Sequence, residues 1–181
     1  KKKKVKIMKH ILIAIISLFF IVGCGNSKKE TVEKSEEIVT KKIKKTEKPS
    51  AVIVDSDGVA NILITTNDVM KFNVKKLNVK AGQKVKLTLK HIGKLDKRVM
   101  GHNVVILKPG VKLSDFARKA ASSKDNDYIP SDASDVIVHT KMIGGGESTT
   151  IEFVAPAAGT YDFMCSFPAH FAMMKGKFIV E

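Results

Sequence analysis

Cysteine is scarce and tryptophan is absent: Cys24 and Cys165 are the only thiols in 181 residues. Two cysteines exclude a disulfide-rich scaffold and a zinc site built from several thiolates. Histidine is sparse too, with five in the chain, too few to build a second metal centre beside a first. The glycine run Gly144, Gly145, Gly146 is followed by no phosphate-binding lysine, so it reads as a turn and not as a nucleotide cradle. Acidic residues are outnumbered, 18 against 32 Lys and Arg, for a formal charge of +14. Less than half of that excess falls on residues 51–181, and a modestly basic domain with solvated lysines does not read as a nucleic-acid binder. No internal repeat is present. A content of 44% hydrophobic and 28% charged residues is the profile of one globular domain with appendages.

The one long apolar run, residues 8–23, opens on Lys9 and His10 and is too short to span a bilayer. A basic start, an apolar core and a small residue before Cys24 read as an export signal, with translation expected to start at Met8. The ending Ile21, Val22, Gly23, Cys24 resembles a bacterial lipobox, with Ile where Leu is usual, which makes Cys24 the expected lipidated residue. Residues 24–50 alternate Lys and Glu with few apolar positions; they cannot bury enough surface to offset ordering entropy and read as a flexible tether. The division is therefore 1–23 signal, 24–50 tether, 51–181 folded domain. It implies a protein held at the membrane of a bacterial envelope through lipid on Cys24.

Lipid on Cys24 would leave Cys165 as a lone thiol in an oxidising compartment, where metal ligation shields it. Cys165, His170 and Met174 fall in one ten-residue run. A thiolate, an imidazole and a thioether form a soft donor set that suits copper cycling between two oxidation states, and one further histidine is required. His91, His102 and His139 are the candidates outside that run. His102 leads, because it follows Met100 and Gly101 at the entry to an apolar stretch at 104–107. Gly101 lets the backbone carbonyl beside His102 approach a metal, since no side chain projects there. His91 reads as a packed or hydrogen-bonded histidine and His139 as a surface one.

The pattern predicts short strands. Residues 59–66 are apolar; Met70, Phe72 and Val74 alternate with polar neighbours; Leu77 and Val79 follow. Val85, Leu87 and Leu89 alternate with Lys84, Lys86, Thr88 and Lys90, the signature of a half-buried antiparallel strand. Further strands are expected at 104–107, 136–138, 149–154, 160–164 and 177–180. One helix is expected at 111–123, started by Ser114 or Asp115, with a loop at 125–135. Seven or eight such strands argue for a two-sheet sandwich that brings His102 and Cys165 together at one pole.

Val99 to Asn103, the run from His139 to Glu147, and the run from Cys165 to Gly176 resemble the corresponding segments of the azurins, blue copper proteins. Asp68, Met70, Phe72, Asn73 and His91 extend the similarity, which covers roughly 59–181. The spacing from Cys165 to His170 to Met174 is similar to that of azurins in particular. The resemblance implies an all-β, Greek-key cupredoxin sandwich with one short helical insertion. It implies one type 1 copper ion held by His102, Cys165 and His170, with Met174 and the Gly101 carbonyl as weak ligands. Asn103 and Ser166 would tie the two ligand-bearing segments together by hydrogen bonds. Phe167, Pro168, Phe171, Met100 and Ala172 would form an apolar patch around His170 where cytochrome-like proteins or a copper reductase dock.

The function so implied is single-electron transfer, not catalysis; a copper storage or delivery module is the alternative. Three departures from the family pattern stand out. No cysteine pair supplies the amino-terminal disulfide usual in azurins, Ala169 stands where Gly is common, and Val104 stands where some members carry a buried Trp.

Overall fold

The computed structural model describes residues 51–181; the expected signal, the expected lipidation at Cys24 and the expected tether lie outside the described residues. The elements run β1 (Val52–Val54), β2 (Ala60–Asn67), β3 (Lys71–Phe72), β4 (Lys76–Val79), β5 (Lys84–His91), α1 (Lys97–Met100), β6 (Val105–Leu107), α2 (Leu113–Ala121), β7 (Val136–His139), β8 (Ser148–Val154), β9 (Gly159–Met164) and β10 (Lys175–Val180). Single 3-10 turns occupy Lys124–Asn126, Ala133–Asp135 and His170–Ala172. One sheet has the order β1-β2-β5-β8 with β3 also on β2; the other has the order β4-β10-β9-β6-β7. This is the expected all-β two-sheet sandwich with a short helical insertion.

Strand β5 shows why these residues make these elements. Val85, Leu87 and Leu89 are at most 1% exposed while Lys84, Lys86 and Lys90 face water, so a period of two splits the strand between core and solvent. The same alternation in β2 and β10 points Ile62, Ile64, Phe178 and Val180 inward, where they meet Leu77, Phe72 and Phe163 in one core. Helix α2 covers the outer face of the second sheet: Phe116 and Ala120 pack on Val105, Leu107 and Met164 in a separate cluster.

Three expectations need correction. Strand β5 is antiparallel only to β8; it pairs in parallel with β2, from Ala60↔Val85 to Thr66↔His91, and β4 is likewise parallel to β10. Alternation reports which face a residue occupies and carries no information about a neighbour's direction. The helix is capped by Lys112 with no side-chain bond; Asp115 lies in its first turn and Ser114 does not cap it. The loop at 125–135 contains two 3-10 turns, and Asp127 between them takes φ 51°.

Candidate metal centre

Strand order brings the two distant stretches together. β9 lies between β10 and β6, so Cys165, immediately after β9, sits beside the segment that leads into β6. His102 is fixed there by a two-bond bridge to Ile143: its N–H donates to the Ile143 carbonyl at 3.0 Å and its carbonyl accepts from the Ile143 N–H at 2.9 Å. On the other side the Cys165 N–H donates to the Met174 carbonyl at 3.0 Å, which closes the connection from β9 to β10 into a tight loop. Inside that loop the His170 N–H donates to the Phe167 carbonyl at 3.0 Å and the Met174 N–H to the His170 carbonyl at 2.8 Å.

One ligand atom each from His102, Cys165 and His170 then lie within 4.8 Å of one another. Cys165 Sγ stands 3.9 Å from His102 Nδ1 and 3.7 Å from His170 Nδ1. Two donors each about 2.0–2.3 Å from a common ion are separated by roughly this much. The Nε2 of His102 is paired with the Asn67 carbonyl at 3.0 Å; a carbonyl accepts only, so Nε2 carries the proton and Nδ1 keeps its lone pair. Among the described residues no carboxylate joins the cluster. Two imidazoles and a sulfur with no carboxylate among them fit copper.

Burial sets the charge state of the donors. His102 and Cys165 are fully buried and His170 is 3% exposed. Burial, and then the neighbouring His170, lower His102 to about 4; burial lowers His170 to about 4. Burial raises the Cys165 thiol to about 12. Without a metal, the cluster at neutral pH is two neutral imidazoles facing a protonated thiol, which a soft cation replaces with release of one proton.

The surrounding groups hold the two segments in register. Asn103 Nδ2 donates to Ser166 Oγ at 2.8 Å, and the Ser166 N–H donates back to Asn103 Oδ1 at 2.9 Å. Both residues are buried, so breaking this reciprocal pair strands amide groups at a cost of about 1–3 kcal/mol. Asn103 Nδ2 also reaches the Asp127 carbonyl at 3.1 Å, and Asp127 Oδ2 accepts from the Met142 N–H at 3.1 Å. Asp127 was hidden in what reads as a polar loop; no local pattern marks its role as an anchor. Asn67 and Asp68, which accepts from the Lys94 and Leu95 N–H groups, support the His102 side in the same way.

Gly101 presents its carbonyl 3.9 Å from Cys165 Sγ. A Cβ there would collide with the Lys97 carbonyl and lie 3.0 Å from both Met142 Sδ and Phe167 Cδ2, so only glycine fits. Met174 is fully buried in the same core cluster as Cys165. Ala169 takes φ 67°, which explains why glycine suits this position and means that the alanine carries backbone strain of roughly 1–2 kcal/mol. The bond from the His170 N–H to the Phe167 carbonyl closes the turn around it.

A ladder of rings crosses the site. Phe167 packs on His170 at 4.5 Å between centroids, His170 on His102 at 5.0 Å, and His102 on His91 at 4.7 Å; Tyr128 meets Phe167 edge-on at 5.2 Å. His91 is fully buried, its Nδ1 accepting from the Gly93 N–H and its Nε2 on the Met100 carbonyl, which leaves no lone pair for a metal. His139 is exposed at the end of β7, away from the cluster. Phe167, Pro168, Phe171 and Met100 are half-buried and Ala172 is exposed, and Val99 and Met173 are exposed apolar residues.

The family described as copper binding proteins, plastocyanin/azurin family, matches residues 60–181. Azurin-1 of Alcaligenes xylosoxydans xylosoxydans is 44% identical over 117 residues, covering 62% of this chain and 91% of that protein. Outer membrane protein H.8 of Neisseria gonorrhoeae is 42% identical over 117 residues, 63% of each chain. Among solved structures, auracyanin A, a blue copper protein of Chloroflexus aurantiacus, superposes with a TM-score of 0.63 at 31% identity, covering 68% of this chain and all of that one.

Proposed function

The chain belongs to the plastocyanin/azurin family of copper binding proteins, a family of blue copper electron carriers, and from that premise we propose that it passes single electrons between redox partners at a bacterial cell envelope. The observation that carries this reading is the buried convergence of His102, Cys165 and His170. In it these three residues would hold the copper, with Met174 and the Gly101 carbonyl as further, weaker donors. Copper, when bound, supplies the one-electron couple between Cu(I) and Cu(II).

The protein's part is rigidity and access. The Asn103–Ser166 pair and the Asn67 bond to His102 hold the donors in place whether or not the metal is oxidised, so little rearrangement accompanies electron transfer. Full burial of His102 and Cys165 keeps water from the metal. His170 is the ligand nearest solvent, and the apolar rim of Phe167, Pro168, Phe171, Met100 and Ala172 is where a partner's surface would seat. Such a chain binds no substrate and carries out no catalytic reaction of its own.

The test is repeated redox cycling of the copper-loaded full chain in the presence of a Cu(I) chelator. One electron per copper should be taken up and returned over many cycles with the metal retained. Loss of copper on the first reduction would favour the storage or delivery alternative. Met174→Leu should preserve the visible colour and raise the reduction potential, since a thioether that stabilises Cu(II) is gone; an unchanged potential would remove Met174 from the ligand set.

Envelope attachment rests on the lipobox-like run before Cys24 and on the likeness to a protein named for the outer membrane. Fatty-acid labelling should mark the expressed full chain and fail on Cys24→Ala. Label on the variant would exclude Cys24 as the anchor.

A further inference from the structure

Most of the metal loop is braced from within. The Cys165, His170 and Met174 N–H groups donate to the Met174, Phe167 and His170 carbonyls respectively. The Met173 carbonyl is braced from outside: Lys75 Nζ, 98 residues away in sequence, donates to it at 2.6 Å. Met173 cannot anchor itself by packing, because it is 56% exposed.

Lys75 is held for this task by both sheets. Two residues before it, Asn73 locks onto β2, its N–H donating to the Thr65 carbonyl at 3.0 Å and its Oδ1 accepting from the Thr65 N–H at 2.8 Å. Its own carbonyl accepts from the Lys177 N–H of β10 at 2.9 Å. That carbonyl also lies against Gly176, where an added Cβ would come within 2.6 Å of it. The backbone of Lys75 therefore grips β10 just after Met174, while its side chain grips the carbonyl just before Met174.

We propose that Lys75 is a positioning residue for the copper site: its ammonium clamps the Met173 carbonyl, fixes the peptide that carries Met174, and raises the reduction potential. This rests on the copper reading above. A charge-assisted bond shorter than a typical N–H···O contact restrains the carbonyl more firmly than water would. A fixed positive charge beside the loop favours Cu(I), the less positive state, over Cu(II). Because Lys75 is exposed, its contribution to global stability is small, which separates it from an ordinary core contact.

The experiment compares full-length wild type, Lys75→Met and Lys75→Arg. Copper-loaded Lys75→Met should keep the blue band with a lower reduction potential. In the copper-free protein, its Met174 amide should exchange about fivefold faster than in wild type. Lys75→Arg, which keeps the charge and the donor, should restore both. An unchanged potential and exchange rate in Lys75→Met, or failure of Arg to restore them, would overturn the clamp. If wild type took up no copper, the electron-transfer reading would fail, and amide exchange in the metal-free proteins would still decide the clamp.

Discussion

Cys165→Ser should erase the intense visible band of the copper-loaded protein and reduce its copper affinity by orders of magnitude, while leaving the fold in place. The band requires charge transfer from a thiolate to Cu(II), and Cys165 is the only cysteine among the described residues. A serine hydroxyl is nearly the same shape but a hard donor whose deprotonation at neutral pH is far less accessible. The backbone bond from residue 165 to the Met174 carbonyl does not depend on the side chain, nor does the reciprocal pair of Asn103 and Ser166. Far-UV circular dichroism should therefore match wild type. A blue band retained in Cys165→Ser would place the sulfur ligand elsewhere and end the proposed site.

The effect of that substitution is readable in the sequence because the donors are. Cys165, His170 and Met174 are local to one loop, and ligand chemistry is a property of side-chain type. His102 was legible from its place beside a glycine and ahead of an apolar run. Strand faces were legible for the same local reason: the lysines of β5 alternate with Val85, Leu87 and Leu89. Strand direction was not, and the two parallel pairings, β2 with β5 and β4 with β10, are set by connections that no short window contains. Strand β1, Val52–Val54, has no signature in the sequence because three residues carry too little periodicity; it is defined by pairing with β2. Helix α1 is equally silent in the sequence, since it spans only four residues after the Asp96 cap.

The supporting shell was the least visible part. Asn67, Asp127 and Lys75 act through backbone carbonyls or distant partners, so neither their type nor their spacing marks them out. Asn103 and Ser166 were accessible only through the resemblance to azurins. Their reciprocal bonds join positions 63 apart, a relation that a linear reading of composition and periodicity does not contain.

The metal-free protein should lose much of its stability between about pH 6.5 and pH 4. His102 and His170 both have an ordinary value of 6.5 and are lowered to about 4 in the folded state, chiefly by burial. As pH falls through this interval the unfolded chain takes up protons that the folded chain refuses, so unfolding is favoured. The stability tied to these two groups is complete above about 6.5 and lost as pH falls to about 4. Each imidazole contributes roughly 3 kcal/mol by this linkage, and the repulsion from a protonated His170 is part of the His102 share. At the alkaline end the sign is reversed for Cys165. Its thiol is raised from 9.0 to about 12, so the unfolded chain deprotonates first and stability falls as pH climbs above about 9. Denaturant midpoints of the copper-free chain should therefore form a plateau between about pH 6.5 and 9 with a steep acid flank. A midpoint that stays level from pH 7 to pH 4 would show that the imidazoles are solvated, and the buried cluster on which copper binding depends would have to be abandoned.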